Sequence, residues 1–274
     1  MEKKLVVITG CDSGIGESLC RVCINYGYYA VISYQAQNLF SPEPNVFAFK
    51  MDLRKKEEID QFVLFIKDIL KQSFHLECIV NNAGIALGGP IENLPMEIFR
   101  DNFEVNYFGL VYFTQNMIPL LIKSRGKIMN IGSMAGRIAL PFLSPYASSK
   151  YALEGFNDSL RRELLPFGIR TVIVEPGGIA TPIWNKSKKQ ERAFVDEKYL
   201  KSLDEFTKKF VDKGNSGMDS DRAAKDIFSI ILKKNPKDRY IIAKNRFTAS
   251  LPLLLPVKLL DKLFLKMFRM EYGP

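Results

Sequence analysis

Lys4-Leu5-Val6-Val7-Ile8-Thr9-Gly10-Cys11-Asp12-Ser13-Gly14-Ile15-Gly16 is the stretch on which the fold turns. The apolar, β-branched run over 4–9 reads as a buried strand. Residues 14–25 carry apolar side chains at helical spacing, so the order is strand, glycine-rich turn, helix. Glycines let the backbone turn sharply and come close to a pyrophosphate, and a helix N-terminus presents unpaired N–H groups with a partial positive charge. Three residues separate Gly10 from Gly14, unlike the common G-x-G-x-x-G, so the flanking strand and helix carry more of the reading than the glycines do.

The same alternation continues outward. Further strands are expected over 29–34, 46–50, 77–81, 127–131, 170–175 and 239–243, with Ser41-Pro42-Glu43-Pro44 breaking the chain between the second and third. Helices are expected over 55–71, 95–123 with an interruption at 106–109, 145–165 and 221–233. Strand and helix alternating over the whole length argue for one domain over 1–274, a doubly wound parallel sheet covered on both faces. Residues 183–217 depart from this rhythm: they are highly charged, carry the sole tryptophan, Trp184, and end in Gly214-Asn215-Ser216-Gly217. They read as a lid inserted over a site, with a pair of plain surface helices as the alternative.

Composition excludes several chemistries. There is one histidine, His75, expected in a loop between helix and strand, so a histidine metal cluster or a Ser-His relay has nothing else to build on. Cys20 and Cys23 form one Cys-x-x-Cys inside an amphipathic helical run, where they read as small core residues. Cys11 and Cys78 complete no zinc site, and no metal is expected. Free thiols fit a reducing, cytoplasmic compartment. No run approaches the ~18 apolar residues of a membrane span. The net charge of +9 is spread along the chain and densest over 186–213 and 258–269, which reads as solvated basic faces and not as a nucleic-acid surface.

Tyr146 and Lys150 carry the chemistry. At i and i+4 in an expected helix they share a face, so the ammonium can act on the phenol. Tyrosine ordinarily ionises near pH 10, and reaching neutrality would take roughly 4 kcal/mol of selective phenolate stabilisation. A lysine and a cationic nicotinamide ring could supply it, making Tyr146 an acid or base.

Taken with the Gly10, Gly14, Gly16 turn, Asn81-Asn82-Ala83-Gly84, Asn106, Ser133, and Pro176-Gly177 with Thr181, these residues resemble the short-chain dehydrogenase/reductase family, in its order, over 9–181. The resemblance implies a Rossmann-type sheet of about seven strands, a nicotinamide dinucleotide, reversible alcohol oxidation and a homo-dimer or homo-tetramer. It places the catalytic tetrad on Asn106, Ser133, Tyr146 and Lys150. Ser133 would hold the substrate oxygen, Lys150 would lower the tyrosine pKa and bind the ribose, and Asn106 would hold a water linking Lys150 to solvent. Taken singly, a buried Ser or Tyr usually just satisfies a hydrogen bond. The resemblance further implies cofactor contacts from Gly10, Asp12, Ser13, Gly14, Ile15 and Gly16, from Asp52 and Leu53 at the adenine, and from Asn82, Ala83 and Gly84. Tyr146, Lys150, Pro176, Gly177, Ile179 and Thr181 would complete the set. Asp52 read alone could equally cap the following helix.

Charge bears on which dinucleotide is used. A 2′-phosphate is ordinarily met by Arg or Lys in the glycine turn or after the second strand, where this chain has Asp12 and Ser33-Tyr34-Gln35-Ala36-Gln37. NAD is therefore favoured over NADP, although the acid that usually ends the second strand in NAD enzymes is also missing. The Asp12 turn, Gly136-Arg137, Leu160-Arg161-Arg162-Glu163-Leu164 and Glu175-Pro176-Gly177 are similar to the retinol and hydroxysteroid dehydrogenase branch. That implies a small lipophilic alcohol or carbonyl of steroid, retinoid or fatty type. A 3-oxoacyl-carrier NADPH reductase and a non-catalytic dinucleotide-binding regulator are the alternatives. The apolar helical tail over 248–270, punctuated by Lys258, Lys262, Lys266 and Arg269, fits core packing, a lipid surface, a lid over the substrate mouth or another subunit.

Overall fold

Leu5, Val6, Val7 and Ile8 are fully buried, the signature of a strand covered on both faces. The computed structural model describes residues 3–184, 195–211 and 217–270. In it β1 (Lys3–Ile8), β2 (Tyr29–Tyr34), β3 (Val46–Lys50), β4 (Phe74–Asn81), β5 (Lys127–Ile131), β6 (Arg170–Pro176) and β7 (Arg239–Ile242) form one seven-stranded sheet. Its order is β3-β2-β1-β4-β5-β6-β7, and every neighbouring pair is parallel. Parallel neighbours need crossovers, and the helices that make them cover both faces.

On one face, Leu19, Cys20 and Cys23 of α1 (Gly14–Asn25) meet Ala223, Ile227 and Phe228 from a later helix, Ser220–Ile231. On the other, Phe62, Val63 and Ile66 of α2 (Lys56–Leu70) pack with Phe113 and Met117. The latter pair belongs to a helical stretch made of α3 (Met96–Phe103), a π-helical turn (Glu104–Phe108) and α4 (Gly109–Ser124). The interruption expected at 106–109 is thus a π turn in a continuing helix, with Asn106 inside it. Such π turns recur at functional sites. α5 (Ser144–Leu164) follows β5, and α6 (Glu197–Phe206) with α7 (Ser220–Ile231) precede β7. The chain ends in α8 (Arg246–Ser250), a 3₁₀ turn (Leu251–Leu254) and α9 (Val257–Met267).

One detail differs from the expectations. His75 is the second residue of β4 and not a loop residue, because that strand begins at Phe74. The hinge residues Gly214, Asn215 and Ser216 of the expected lid lie outside the described residues, as do 185–194. The part that is described holds α6 and the π turn Thr207–Val211. All four cysteines are free and buried, and burial pushes the Cys20 and Cys78 thiols up to about 12, so both stay protonated as core side chains. No metal-holding cluster, and no helix long and apolar enough to cross a membrane, occurs among the described residues.

β1 is the topological switch point: the chain runs from it through β2 to β3, then returns to β4 on its other side. Crevices open at the carboxyl ends of strands at such points, and the candidate site lies there.

Candidate active site

The glycine turn after β1 is shaped by close approach. Gly10 has a φ of +72°, and a Cβ there would stand 2.7 Å from the Ala83 Cα. At Gly16 a Cβ would fall 2.2 Å from the Gly10 carbonyl oxygen, so the first turn of α1 can seat against the loop only without a side chain. Asn82 fastens that loop from β4: its Nδ2 donates to the carbonyls of Thr9 and Gly10, both at 2.9 Å. Thr9 Oγ1 in turn accepts from the N–H groups of Asn82 and Ala83 at 3.0 and 3.1 Å. Thr9 is a positioning residue missing from the expected set, though it stands at the head of the quoted turn.

A cleft of ≈ 600 Å³ runs from this turn, across the ends of β1 and β4, to Tyr146. Every expected site residue lines it except Gly16 and Asn106. At one end, Asp12 accepts from the backbone N–H groups of Gln35, Ala36 and Gln37 at 2.6 to 3.2 Å, tying the glycine turn to the loop after β2. Asp52 does not cap α2. Its carboxylate takes the N–H and guanidinium of Arg54, with Nη2 at 2.7 Å, and the side-chain amide of Gln35 at 2.9 Å. Burial alone would raise the Asp52 pKa, and these bonds outweigh it and hold the group below its ordinary range. Arg54 also stands 3.9 Å from Asp101 on α3. Neither Arg54 nor Asp101 was anticipated. Arg54 is only two residues from Asp52 and could have been found, whereas nothing in the sequence brings Asp101 to the cleft.

At the other end, β5 leads into Ser133, which begins a 3₁₀ turn and accepts from the Ala135 N–H at 3.0 Å. Tyr146 and Lys150 project from one face of α5, with Nζ 5.9 Å from the centre of the tyrosine ring. Lys150 Nζ donates to the Ile131 carbonyl at 2.9 Å, and burial lowers its pKa to about 8, partly opposed by the negative charge of Glu154. The phenol of Tyr146 is shifted upward, not downward as the helical spacing suggested. Burial dominates, and the hydrogen bond with Ser133 pulls back against it. Asn106 holds the loop after β4: Nδ2 donates to the Ile85 carbonyl at 2.9 Å and to Ser149 Oγ at 3.0 Å, and Oδ1 accepts from the Ile85 N–H at 2.9 Å. Gly84 sits between them, where a Cβ would lie 3.1 Å from Asn106 Oδ1 and 3.7 Å from Lys150 Nζ.

The short chain dehydrogenase family pattern matches residues 4–192. The chain belongs to this family. It is 34% identical over 275 residues to the NADPH-dependent 3-dehydrocapnine reductase of Ornithobacterium rhinotracheale, covering 96% of each chain. Bovine dehydrogenase/reductase SDR family member 9 is 32% identical over 96% of this chain and 88% of that one. A short-chain dehydrogenase from Streptomyces avermitilis superposes with a TM-score of 0.77 at 23% identity over 97% of this chain and 96% of that one. The chain is an NAD(P)-dependent oxidoreductase with a nicotinamide dinucleotide as its cofactor.

Behind the Ser-Tyr-Lys group this dehydrogenase buries a set of charges the sequence did not disclose. Arg239 on β7 reaches both Glu154, one turn past Lys150 on α5, and Glu175 on β6, while Arg137 stands 3.4 Å from Glu175. Glu175 is fully buried. Burial and the Glu175 charge push the Glu154 carboxyl up to about 7, against the pull of Arg239 and Arg137.

Proposed function

We propose that this dehydrogenase/reductase interconverts a lipophilic alcohol and its carbonyl compound, of steroid, retinoid or fatty type, with Tyr146 as acid and base. The observation that carries the substrate class is the company Tyr146 keeps. It lies in one apolar cluster with Phe142, Leu143, Leu203, Phe206 and Phe268, drawn from the loop before α5, from α6 and from the chain end. An apolar chain entering there is stripped of water beside the phenol, and a charged or sugar-like substrate would lose hydration without replacement.

The site fits the dinucleotide. At Gly10, Gly14 and Gly16 a Cβ would strike Ala83, Thr181 and the Gly10 carbonyl, so the glycines let the turn close tightly before the first N–H groups of α1. Held by these residues, a nicotinamide dinucleotide would supply hydride chemistry at the substrate carbon. In reduction the Tyr146 phenol donates its proton to the carbonyl oxygen, and in oxidation it takes the hydroxyl proton. Ser133 Oγ holds the same oxygen and stabilises the charge that builds on it. Lys150 provides a cation buried next to the phenol, and Asn106 fixes the Ile85 loop against α5. These residues hold and move the proton.

The test of substrate class is a homologous series of straight-chain carbonyls of increasing length. Each added methylene buried is worth about 0.8 kcal/mol, so kcat/KM is expected to rise roughly threefold to fourfold per step until the cluster is filled. A series that stays flat, or activity appearing only when the acyl group is carried on an acidic carrier protein, would overturn the reading.

The cofactor preference in this proposal is NAD(H). Three carboxylates, Asp12, Asp52 and Asp101, line the adenosine end against one guanidinium, Arg54, which Asp52 already holds in a two-pronged contact. The N–H groups of Gln35, Ala36 and Gln37, which could have received a phosphate, are taken by Asp12. NADH is expected to bind at least about tenfold more tightly than NADPH, a difference of ~1.4 kcal/mol, as measured by titration calorimetry. Tighter binding of NADPH, lost on Arg54→Gln, would instead assign Arg54 to the 2′-phosphate. The NADPH-dependent relative gives that outcome its weight.

A further inference from the structure

The chain end has two apolar faces, and only one of them is used. On α9, Leu260 and Phe264 with Phe268 just beyond recur every four residues. Phe264 and Phe268 pack into the cluster that holds Tyr146, and Phe268 is 1% exposed. The neighbouring stripe, Leu259, Leu263 and Met267, has the same spacing and is exposed. A third stripe, Lys258, Lys262 and Lys266, runs beside it, also exposed. The preceding turns add Phe247 and Leu254, exposed by 72% and 79%.

Large apolar side chains in that number at one chain end exceed the scattered exposure normal on a monomer. The lysines settle which partner they fit. An apolar stripe bordered on one side by a row of lysines is the arrangement in which the apolar side chains enter the acyl boundary. The ammonium groups meanwhile reach along their stems to anionic headgroups. A protein partner would need a matching acidic rim, and a second copy of this chain, with a net charge of +9, brings the same lysines. We propose that the outer face of α9, with the exposed Phe247 and Leu254 before it, docks on an anionic lipid bilayer. The inner face of the same helix roofs the apolar cluster over Tyr146, so docking sets the substrate end of the cleft against the membrane.

The test is sedimentation of the full chain with vesicles of phosphatidylcholine alone and of phosphatidylcholine with a third phosphatidylserine. Binding is expected to the second and not the first, and to weaken in high salt. Losing all three lysines in K258Q/K262Q/K266Q is expected to weaken it by about a hundredfold. Leu259→Glu with Leu263→Glu is expected to abolish it. These positions are exposed, so both variants should keep the wild-type melting temperature and dinucleotide affinity, which separates lost docking from lost folding. Three results would overturn the proposal: no binding to anionic vesicles, equal binding by both variants, or a wild-type dimer that the two glutamates turn into monomers.

Discussion

Tyr146→Phe is expected to lower turnover by about 10²–10⁴-fold, the range for losing a general acid or base, while leaving dinucleotide affinity within about twofold of wild type. The ring stays, and with it the packing against Phe142 and Phe206; only the hydroxyl and its bond with Ser133 go. One net hydrogen bond is worth about 1 kcal/mol, and part of that is returned because no phenol oxygen need be buried, so the melting temperature should scarcely move. Parallel loss of activity and of cofactor binding would mean that Tyr146 is structural. The pH profile adds a second check. Burial keeps the phenol protonated through neutrality, which suits the donor in reduction. Lys150 loses its charge as pH rises through about 8. In the wild type, kcat/KM for reduction is therefore expected to be level up to about pH 8 and to fall above it.

How far the sequence carried this site depends on whether a residue's neighbours are local. The glycine turn, the sheet order it opens and the shared face of Tyr146 and Lys150 rest on spacings of a few residues, and they are legible for that reason. Electrostatic consequences were not. The spacing of Tyr146 and Lys150 suggested a lowered phenol pKa, yet it says nothing of desolvation or of the Ile131 carbonyl that holds the ammonium. The bonds by which the Asn106 side chain, from inside the π turn, holds Ile85 span 21 residues and were likewise not to be read from the sequence. Asp12 was read as a repulsive charge, and its contacts with the loop after β2, 23 to 25 residues away, appear only once the turn and that loop are brought together. The most distant relation was the least visible: Arg239 meets Glu175 and Glu154 across 64 and 85 residues of chain.

That last set predicts the largest effect on stability. Arg239→Met keeps most of the apolar stem but leaves Glu154 and Glu175 in the interior with Arg137 alone for a counter-charge. Breaking a buried pair by removing one partner typically costs about 3–5 kcal/mol. The cost should depend on pH in a definite direction. The Glu154 carboxyl holds its proton up to about 7 when folded, well above a free glutamate, so the folded state binds that proton more tightly than the unfolded chain does. Its contribution to stability is complete below the unfolded pKa and is lost as pH rises through about 7. Arg239 pulls that pKa down, so removing it drives the carboxyl further up and widens the loss on the alkaline side. Urea unfolding is expected to show the full deficit at pH 8 and a much smaller one at pH 5, with E154Q/R239M recovering part of the alkaline loss. An equal deficit at both pH values would assign the effect to packing and not to charge. The same charges reach the chemistry, because Glu154 raises the Lys150 pKa. In Glu154→Gln alone the alkaline fall in reduction should therefore begin below pH 8, and a limb that does not move would separate this buried pair from catalysis.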